Sequence, residues 1–544
     1  MSSTQVLIIG AGPVGMLTAL SLSQAGIQCV LVDKRLERLD APKAHAVNPR
    51  TLEICQRLGV EADAIRAAGA SHAEGGKVHF MDVLAGTCFG ALPYERQDDG
   101  ALAFTPWPLV NIPQPEFEGF LSRKLADSRN ITLLRGVEAG ALQQTADGVA
   151  VELNLAGSAE PLVMQAAYVV AADGANSSTR TQLDISMTGP EVLQHYMMIH
   201  FEADLQALTQ AHPGLLYFCL SPEAGGVFIG YKRDSTWVFM QSFDPNTQPK
   251  EDFDAATCAS LVQAAAGTTL PNLKIKNVSP WTMSAQVADQ YRQGRVFLAG
   301  DAAHRFPPTG GLGLNTGIAD AQNLAWKLAM VLQNKAGDEL LNTYEVERRT
   351  IAQINCQQSL TNSAKIMHLF GAVYGPDPAN LTAHYNQACA NPEDPAIQAA
   401  VELQRPHFDS FNLQMGYQYN TPVDIESLNV STYLPSFDVG HYLPLVELQD
   451  GVWLLGHLPV SEFSLLTGPD GAAWQDHGVA VFVEDTDFHP ATTFHTRAAL
   501  QTDGALLMRP DGHISARWDH LPTDPSAALK QALASALSAT TTEN

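Results

Sequence analysis

Six residues near the start of the chain place three glycines at a spacing that suits phosphate binding. They are Gly10, Ala11, Gly12, Pro13, Val14 and Gly15. Gly10 permits a tight turn, Gly12 lets backbone N–H groups approach a pyrophosphate, and Gly15 lets a helix and a strand pack closely. The apolar run before them reads as a buried strand and the residues after them as a helix. The spacing predicts a dinucleotide site, with Pro13 and Val14 included. The alternative is a structural turn that binds nothing.

Two residues after the next apolar run extend this site. Asp33 ends the second predicted strand, "QCVLVDK", about 20 residues after the glycines, where a carboxylate can accept hydrogen bonds from ribose hydroxyls. Lys34 follows at once and is counted with the cofactor-binding residues. The glycine motif does not distinguish FAD from NAD. The charge of Asp33 argues against a ribose 2′-phosphate, but the adjoining Lys34 and Arg35 weaken that argument.

A second special stretch, "GDAAHRFPPTGGLGLNTGIADAQNLAWKL", covers Gly300 to Leu328. Asp301 ends the strand pattern "RVFLAGD", and ligands of α/β folds bind at the carboxyl ends of strands. Prolines stiffen the turn that follows, and glycines expose its backbone N–H groups. Apolar residues then recur at spacings of three and four, which predicts a buried helix with its positive N-terminal end near Asn315. The alternative is a glycine-rich surface loop.

A third stretch, "YVVAADGANSSTR", runs from Tyr168 to Arg180 and ends a strand in Asp173-Gly174. Taken alone, it is also explained by an ordinary strand and turn with a capping aspartate.

Composition narrows the class of protein. The 544 residues carry a net charge of −25, which disfavours nucleic acid and anionic membranes as partners. No run approaches the roughly 20 apolar residues of a membrane span. Seven scattered cysteines form no CxxC pair and no Cys/His zinc spacing, which predicts reduced thiols, no metal and a cytoplasmic location.

Together the three stretches resemble the FAD-dependent aromatic hydroxylases of the p-hydroxybenzoate hydroxylase family. The segment after Gly300 is especially similar to the phenol-hydroxylating branch, such as 2,4-dichlorophenol hydroxylase and 2-hydroxybiphenyl monooxygenase. The C-terminal run "ALLMRPDGHISARW" resembles the thioredoxin-like domain of that branch, although no cysteine follows Cys389 to support disulfide chemistry.

The resemblance implies an α/β fold, α+β overall, with three parts. A Rossmann-like FAD-binding domain comprises residues 1–185 and 286–400. An antiparallel-sheet substrate domain covers 186–285, with residues 75–110 contributing in part. A thioredoxin-like domain spans 405–535, where short strands are expected, including one at "GVWLLGHL".

The resemblance also implies roles for individual residues. Asp301 contacts the ribityl chain of FAD, and Gln114 reaches the FAD linker. Lys43 stands where the family usually has an arginine that contacts the pyrophosphate, and lysine keeps the charge but loses the bidentate fork. Asp173 lies near the pyrophosphate, preceded here by Ala-Ala where Gly-Ala is usual. The flavin ring is lined by Pro308, Gly311, Gly313, Leu314 and Asn315.

The implied enzyme is a single-component monooxygenase of aromatic catabolism, using transiently bound NADPH or NADH and O2. It hydroxylates a small phenolic substrate through a flavin C4a-hydroperoxide, and a homodimer is compatible with the resemblance. A base that forms the phenolate would assist, and His45 in "PKAHAVNPR" is the candidate. The alternative for His45 is a structural role in the FAD shell.

Residues of the middle domain are expected to line the substrate pocket. Tyr217 and Phe218, in "GLLYFCLS", are candidates together with Pro308, and the alternative for the first two is sheet core. A polycyclic or antibiotic-type substrate is the main functional alternative. A flavin halogenase is disfavoured because its WxWxIP signature is absent. A nucleotide-binding regulator that catalyses no reaction is the alternative from a different functional class.

Overall fold

The computed structural model of the chain describes residues 2–38, 43–158, 160–232, 234–419, 427–475 and 478–538. Its strands are β1 (Ser2–Ile9), β2 (Cys29–Asp33), β3 (Ala46–Val47), β4 (Lys77–Met81), β5 (Cys88–Pro93), β6 (Val110–Asn111), β7 (Ile131–Arg135), β8 (Val137–Gln144), β9 (Val149–Leu155), β10 (Leu162–Ala171), β11 (Met187–Thr188), β12 (Gln194–Glu202), β13 (Leu216–Cys219), β14 (Gly226–Lys232), β15 (Thr236–Phe243), β16 (Lys274–Met283), β17 (Gln286–Ala288), β18 (Arg292–Gln293), β19 (Val296–Leu298), β20 (His304–Arg305), β21 (Ser464–Thr467), β22 (Ala480–Val483), β23 (Ala505–Met508) and β24 (Ile514–Trp518).

The helices alternate with these strands in the N-terminal part and dominate residues 312–415. They are α1 (Pro13–Gln24), α2 (Pro49–Arg57), α3 (Ala62–Ala68), α4 (His72–Gly75), α5 (Gln114–Ala126), α6 (Ser178–Gln182), α7 (Gln206–Thr209), α8 (Ala255–Ala266), α9 (Leu312–Leu332), α10 (Asn342–Tyr374), α11 (Leu381–Ala390), α12 (Pro395–Glu402), α13 (Arg405–Phe408), α14 (Phe411–Met415), α15 (Phe494–Arg497) and α16 (Pro525–Leu537). Among the described residues, none of these helices has the length and apolarity needed to cross a bilayer.

The first sheet is built on parallel strands that are distant in sequence. Its order is β18-β19-β10-β1-β2-β7, with β9 and β8 continuing from β10 as an antiparallel extension. β1 pairs in parallel with β10 and β2, and β10 pairs in parallel with β19. Residues 6–9 of β1 and all of β19 are apolar and buried, as parallel strands covered on both faces require. The arrangement confirms the predicted Rossmann-like unit.

The second sheet has seven strands in the order β16-β12-β15-β14-β13-β4-β5. It is antiparallel except where β13 runs parallel to β4. Helix α8 covers one face, and side chains from α10 and α12 pack on the other. Because β4 and β5 join this sheet, the pairing supports the proposal that residues 75–110 contribute to the substrate-binding domain.

The C-terminal sheet has the order β22-β21-β23-β24, with β21 and β22 parallel and the other pairs antiparallel. Along the chain, the parallel strands β21 and β22 come first, the antiparallel strands β23 and β24 follow, and helix α16 comes last. This order is the topology of a thioredoxin-like unit. The mixed α/β fold class is thus confirmed. One local prediction was wrong: within "GVWLLGHL", residues Leu454–His457 form a 3₁₀ helix. Leu454 and Leu455 are buried in this 3₁₀ helix, so a short apolar run can be buried without forming a strand.

Candidate active site

The three stretches singled out from the sequence begin at the carboxyl ends of adjacent strands. The backbone N–H of Ala172 donates to Ile9 O at 2.8 Å, and that of Ala299 donates to Ala171 O at 2.9 Å. These bonds join the ends of β1, β10 and β19 side by side. The turns that follow the strands therefore share one edge of the sheet, where α/β folds bind ligands.

The first turn is tightly packed on one side and open on the other. Gly10 has φ +103°, and a Cβ there would lie 2.2 Å from Ala172 O. A Cβ at Gly15 would lie 1.9 Å from Gly10 O, whereas one at Gly12 would meet no described atom within 4 Å. Helix α1 begins after Gly12 without a side-chain cap among the described residues. Its first N–H groups thus face open space, as a phosphate site requires.

Beside this turn lies a recess with acidic and basic walls, which we call the N-terminal recess. Its lining includes Ala11, Gly12, Asp33, Arg35, Arg38, Lys43, Gln114 and Glu118. Asp33 accepts from Ala11 N at 2.9 Å and from Arg35 N at 2.8 Å. Gln114 Nε2 donates to Glu118 Oε1 at 2.8 Å, and Gln114 Oε1 accepts from Ala44 N at 3.3 Å.

One predicted cofactor residue is corrected here. The side chain of Lys34 is 67% exposed and lies 3.9 Å from Glu138, outside the recess. Successive side chains alternate in an extended segment, so the next basic residue, Arg35, faces the recess in its place. Of the two adjacent basic residues, Arg35 and not Lys34 lines the recess.

The segment around Asp173 connects the first turn to the third. Asp173 Oδ2 accepts from Thr179 N at 3.1 Å, so the carboxylate does support the following turn. Its Oδ1 is buried without a hydrogen-bond partner among the described residues. Arg180 Nη1 donates to Ala302 O at 2.9 Å and so links this segment to the one around Asp301.

Asp301 is an exposed residue, yet enough protein lies around its carboxyl group to desolvate it. Desolvation raises its pKa, partly opposed by the nearby charges of His304, Lys43 and Arg305. Lys43 also lines the N-terminal recess, so its charge acts both on that recess and on Asp301.

Residues behind Asp301 are locked in place. His304 Nε2 is 2.8 Å from Asp320 Oδ2, Arg348 Nε donates to Asp320 Oδ1 at 2.8 Å, and the ring of Phe306 stacks on His304 at 4.7 Å. Asp320 Oδ2 also accepts from Gly300 N at 3.2 Å. His304 and Phe306 therefore support the turn from below and do not face the cleft.

Helix α9 starts at Leu312, three residues earlier than the pattern indicated. Gly311 takes the left-handed conformation at φ +62° and begins the helix with no side-chain cap among the described residues. A Cβ at Gly313 would meet no described atom within 4 Å, and Pro308 is exposed. The N–H groups of the first turn are thus free for a ligand.

Close packing brings the starts of α1 and α9 together. A Cβ at Gly300 would lie 2.9 Å from Val14 Cγ2, and one at Gly317 would lie 2.8 Å from the same atom. The Asn315 side chain is used internally: its Nδ2 donates to Ala46 O at 3.0 Å, and its Oδ1 accepts from Asn48 N at 3.1 Å. Because its side chain is used internally, Asn315 can face a cofactor only with its backbone. Half-buried Leu314 lies in the same helical turn.

His45 belongs to the segment that meets the start of α9, since the Cβ of its neighbour Ala46 is 3.0 Å from where a Gly311 Cβ would stand. Its Nδ1 is 3.0 Å from Asn111 Oδ1, and Asn111 Nδ2 donates to Gly75 O at 3.4 Å. The Gly75 bond orients the amide so that Oδ1 accepts from His45 Nδ1–H. Nε2 therefore carries the lone pair. Desolvation lowers the pKa of His45, with the Asn111 hydrogen bond opposing, so the ring is neutral at pH 7.

Aromatic rings surround the imidazole. The ring centroids of Tyr94 and Tyr231 lie 6.0 and 5.9 Å from that of His45. The ring centroid of Phe408 lies 6.2 Å from that of Tyr94 and 5.9 Å from that of Phe218. Phe218 is thus on the same face of the seven-stranded sheet as His45, two rings beyond Tyr94. Sequence reasoning missed Tyr94, Tyr231 and Asn111, and the only signal was a lone polar residue in the apolar run "PLVNIP".

Tyr217 does not belong to this pocket. It is fully buried on the opposite face of the sheet, stacked on His79 at 5.4 Å. Its hydroxyl donates to the carbonyls of His212 and Gly214. Because neighbouring residues of a strand point to opposite faces, Tyr217 and Phe218 cannot both face His45. The prediction for Tyr217 is wrong, and it is part of the sheet core.

The residues present fit FAD. The open face of the turn at Gly12, the uncapped starts of α1 and α9, and the unpartnered Asp173 Oδ1 all belong to one edge of the sheet. The N-terminal recess would hold the adenosine side, the two helix starts the negative charges, and Asp301 the ribityl hydroxyls.

Comparison with known proteins agrees with this geometry. Residues 3–359 match the family model for an FAD binding domain, and residues 437–540 match that for the aromatic-ring hydroxylase C-terminal region. The 2,4-dichlorophenol 6-monooxygenase of Cupriavidus pinatubonensis is 30% identical, with 97% of this chain and 96% of that protein covered. The tetracenomycin A2 monooxygenase-dioxygenase of Streptomyces glaucescens is also 30% identical, at the same coverage.

A solved structure extends the likeness to the whole fold. The flavin-dependent monooxygenase PieE, crystallised with FAD and substrate, superposes with a TM-score of 0.89 at 28% identity, covering 98% of this chain and 99% of that one. Motifs, strand order and full-length similarity lead to one conclusion: the chain belongs to the family of FAD-dependent aromatic-ring hydroxylases.

Proposed function

We propose that the chain hydroxylates a phenolic ring with O2 and a reduced pyridine nucleotide, NADPH or NADH, in aromatic catabolism. The balanced reaction is ArOH + NAD(P)H + H⁺ + O2 → Ar(OH)2 + NAD(P)⁺ + H2O. Bound FAD supplies the electron transfer and the activation of oxygen, which side chains cannot provide. The observation that carries the phenolic assignment is the lone pair of His45 Nε2, held beside the start of α9 and surrounded by tyrosines.

Ionising the substrate is the step that we assign to His45 in this proposal. A phenolate is a better nucleophile than a phenol, so removal of the hydroxyl proton activates the ring. The Asn111 bond fixes the imidazole tautomer, and burial keeps it neutral, so Nε2 accepts the proton. Asn111 is therefore a positioning residue that acts through His45.

The other residues bind, orient and exclude water. The free N–H groups at the start of α9 would stabilise negative charge on the reduced cofactor. The apolar cluster that contains Tyr94, Tyr231 and Phe408 closes one side of the pocket and keeps it dry. Phe218, half-buried in the same cluster, is proposed as part of the more distant pocket wall.

A polycyclic or polyketide-type substrate is the second candidate. The tetracenomycin A2 enzyme is as similar to this chain as the dichlorophenol enzyme, at 30% identity. Substituted phenols and polycyclic phenols should therefore be compared as stimulators of NADPH and NADH oxidation, with products identified by mass spectrometry.

The test of the proposed mechanism is the variant His45→Ala. Because the pKa of His45 lies below 6.5, the wild type holds the base form at and above that pH. The variant depends on phenolate already present in solution, so its deficit should be about 100-fold or more near pH 6.5 and shrink as the pH rises toward the substrate pKa.

A matched control, His457→Ala, removes an exposed histidine elsewhere in the chain and should leave the profile unchanged. Asn111→Ala should lower kcat more than it raises KM. A pH-independent deficit in His45→Ala would contradict the base role.

A further inference from the structure

Three side chains of metal-binding type meet at one edge of the seven-stranded sheet. His79 lies on β4, Cys88 on β5, and His212 in the loop before β13. One donor atom from each lies within 4.8 Å of the other two. The group is on the face opposite His45, where Tyr217 stacks on His79, so it is separate from the proposed catalytic pocket.

His79 already has the form of a metal ligand. Its Nε2 is 3.0 Å from Pro213 O, and because a carbonyl only accepts, Nε2 carries the hydrogen. The lone pair is thus on Nδ1, which is buried without a hydrogen-bond partner among the described residues. The side chain is 3% exposed. Unpartnered buried nitrogen is costly, and a histidine whose second nitrogen donates to a carbonyl is the usual arrangement at metal sites.

The surrounding backbone holds the three residues together. A Cβ at Gly214 would lie 2.7 Å from His79 Cδ2, so only glycine lets the loop pass so close to the imidazole. The Tyr217 hydroxyl donates to His212 O at 2.9 Å and to Gly214 O at 3.1 Å. A register shift in the pairing of β4 with β5 sets Cys88 opposite Met81.

We propose that His79, Cys88 and His212 bind one zinc ion that fastens β4, β5 and the loop before β13. Two imidazole nitrogens and one thiolate suit zinc, which would keep a water as its fourth ligand. Tetrahedral bonds of about 2.0–2.3 Å require donor separations of about 3.3–3.8 Å. The donors lie within 4.8 Å of one another, so each separation closes by at most about 1.5 Å on binding.

The histidine and the cysteine differ in whether they must lose a proton to bind the ion. The Pro213 bond selects the tautomer with the hydrogen on Nε2, so His79 Nδ1 can bind the ion without losing a proton. The Cys88 thiol donates to Gly90 O at 3.4 Å, and it releases its proton to solvent when it binds the ion as a thiolate.

The experiment uses the FAD-loaded protein. It is treated with a chelator, dialysed against zinc sulfate and gel-filtered, and zinc per chain is measured by mass spectrometry. The wild type should retain one zinc, while Cys88→Ser and His212→Ala should bind at least about 100-fold more weakly. Cys389→Ser, which removes another half-buried thiol, should retain the ion.

X-ray absorption at the zinc edge distinguishes this site from surface histidines. The wild type should show one sulfur at about 2.3 Å and nitrogens at about 2.0–2.1 Å. Substrate-stimulated NAD(P)H oxidation by Cys88→Ser should stay within about twofold of wild type, so failure here and failure of the proposed function are distinguishable. No retained zinc in the wild type, equal retention by Cys88→Ser, or a spectrum without sulfur would overturn the proposal.

Discussion

Two polar regions of the molecule differ in whether their members satisfy one another. The interdomain cluster, formed by Lys327, Glu347, Arg509 and Asp511, is buried where α9 and α10 meet the C-terminal sheet. Glu347 accepts from Lys327 at 2.7 Å and from Arg509 at 2.6 and 2.9 Å, and Arg509 also donates to Asp511 at 2.7 Å. At the starts of α1 and α9, by contrast, no side-chain cap is present among the described residues, so the N–H groups of the first turns remain free.

This difference separates structural from ligand-binding polar groups. Groups that find all their partners inside the protein hold elements together, and breaking one leaves an uncompensated buried charge. Groups that face an open cleft with free N–H donors are placed for something that arrives from solution. Substitutions in the first region should lower stability, and substitutions in the second should lower flavin affinity.

The largest effect is expected in the interdomain cluster. Removing one charge with Glu347→Gln leaves Lys327 without its paired carboxylate and Arg509 with Asp511 alone, which should cost about 3–5 kcal/mol and lower the urea midpoint. Despite desolvation, Arg509 and Lys327 lower the pKa of Glu347 to about 2. Its contribution is therefore present above pH 4.5 and is lost as the pH falls toward 2.

Exposed Glu447→Gln is the control and should not move the midpoint. Chemical denaturation at several pH values measures both variants. An unchanged midpoint for Glu347→Gln at pH 7 would show that the cluster is not structural.

A smaller effect, on binding instead of stability, is expected at Asp301. Asp301→Ala removes a carboxylate that would accept from ribityl hydroxyls, at about 1.5–3 kcal/mol per charge-assisted bond. The purified variant should be largely colourless and bind added FAD about 10- to 150-fold more weakly, while its thermal midpoint without flavin stays unchanged. Asp147→Ala, at an exposed turn, should remain yellow. Full flavin retention by Asp301→Ala would refute the assignment.

The smallest effect is expected at Lys43, an exposed cation of the N-terminal recess. Exposed charge pairs are worth about 0.2–1 kcal/mol, so Lys43→Ala should weaken FAD binding about 1.4- to 5-fold. Lys43→Arg, which restores a bidentate fork, should tighten it by a similar factor. Titrations at low and high salt measure the effect, which should diminish with salt, and Lys530→Ala is the control. A salt-independent change would contradict an electrostatic role.

The sequence predicted the regions where local pattern determines structure. The glycine spacing and the parallel strands indicated the first sheet, and the turns after Ile9, Ala171 and Leu298 do converge. The start of α9 was misplaced by three residues because Gly311, in the left-handed conformation, begins the helix where no capping side chain signals it.

Contacts between distant segments could not be read from the sequence. Alternation along β13 shows that Tyr217 and Phe218 point opposite ways, and only the packed sheet reveals that Phe218 lies on the same face as His45. The interdomain cluster joins residues more than 160 positions apart, as in the Arg509–Glu347 pair. For the same reason, the sequence did not show that His79 and His212 lie close together.

The most direct test of the account is single-turnover oxidation under ¹⁸O2. Protein loaded with FAD, NAD(P)H and the best phenol from the substrate comparison should yield a product one oxygen heavier, with that atom derived from O2. Product should equal the nucleotide oxidised, and His45→Ala near pH 6.5 should divert oxidation to hydrogen peroxide. Nucleotide oxidation that leaves every phenol unchanged, or ring oxygen derived from water, would contradict the proposed hydroxylation.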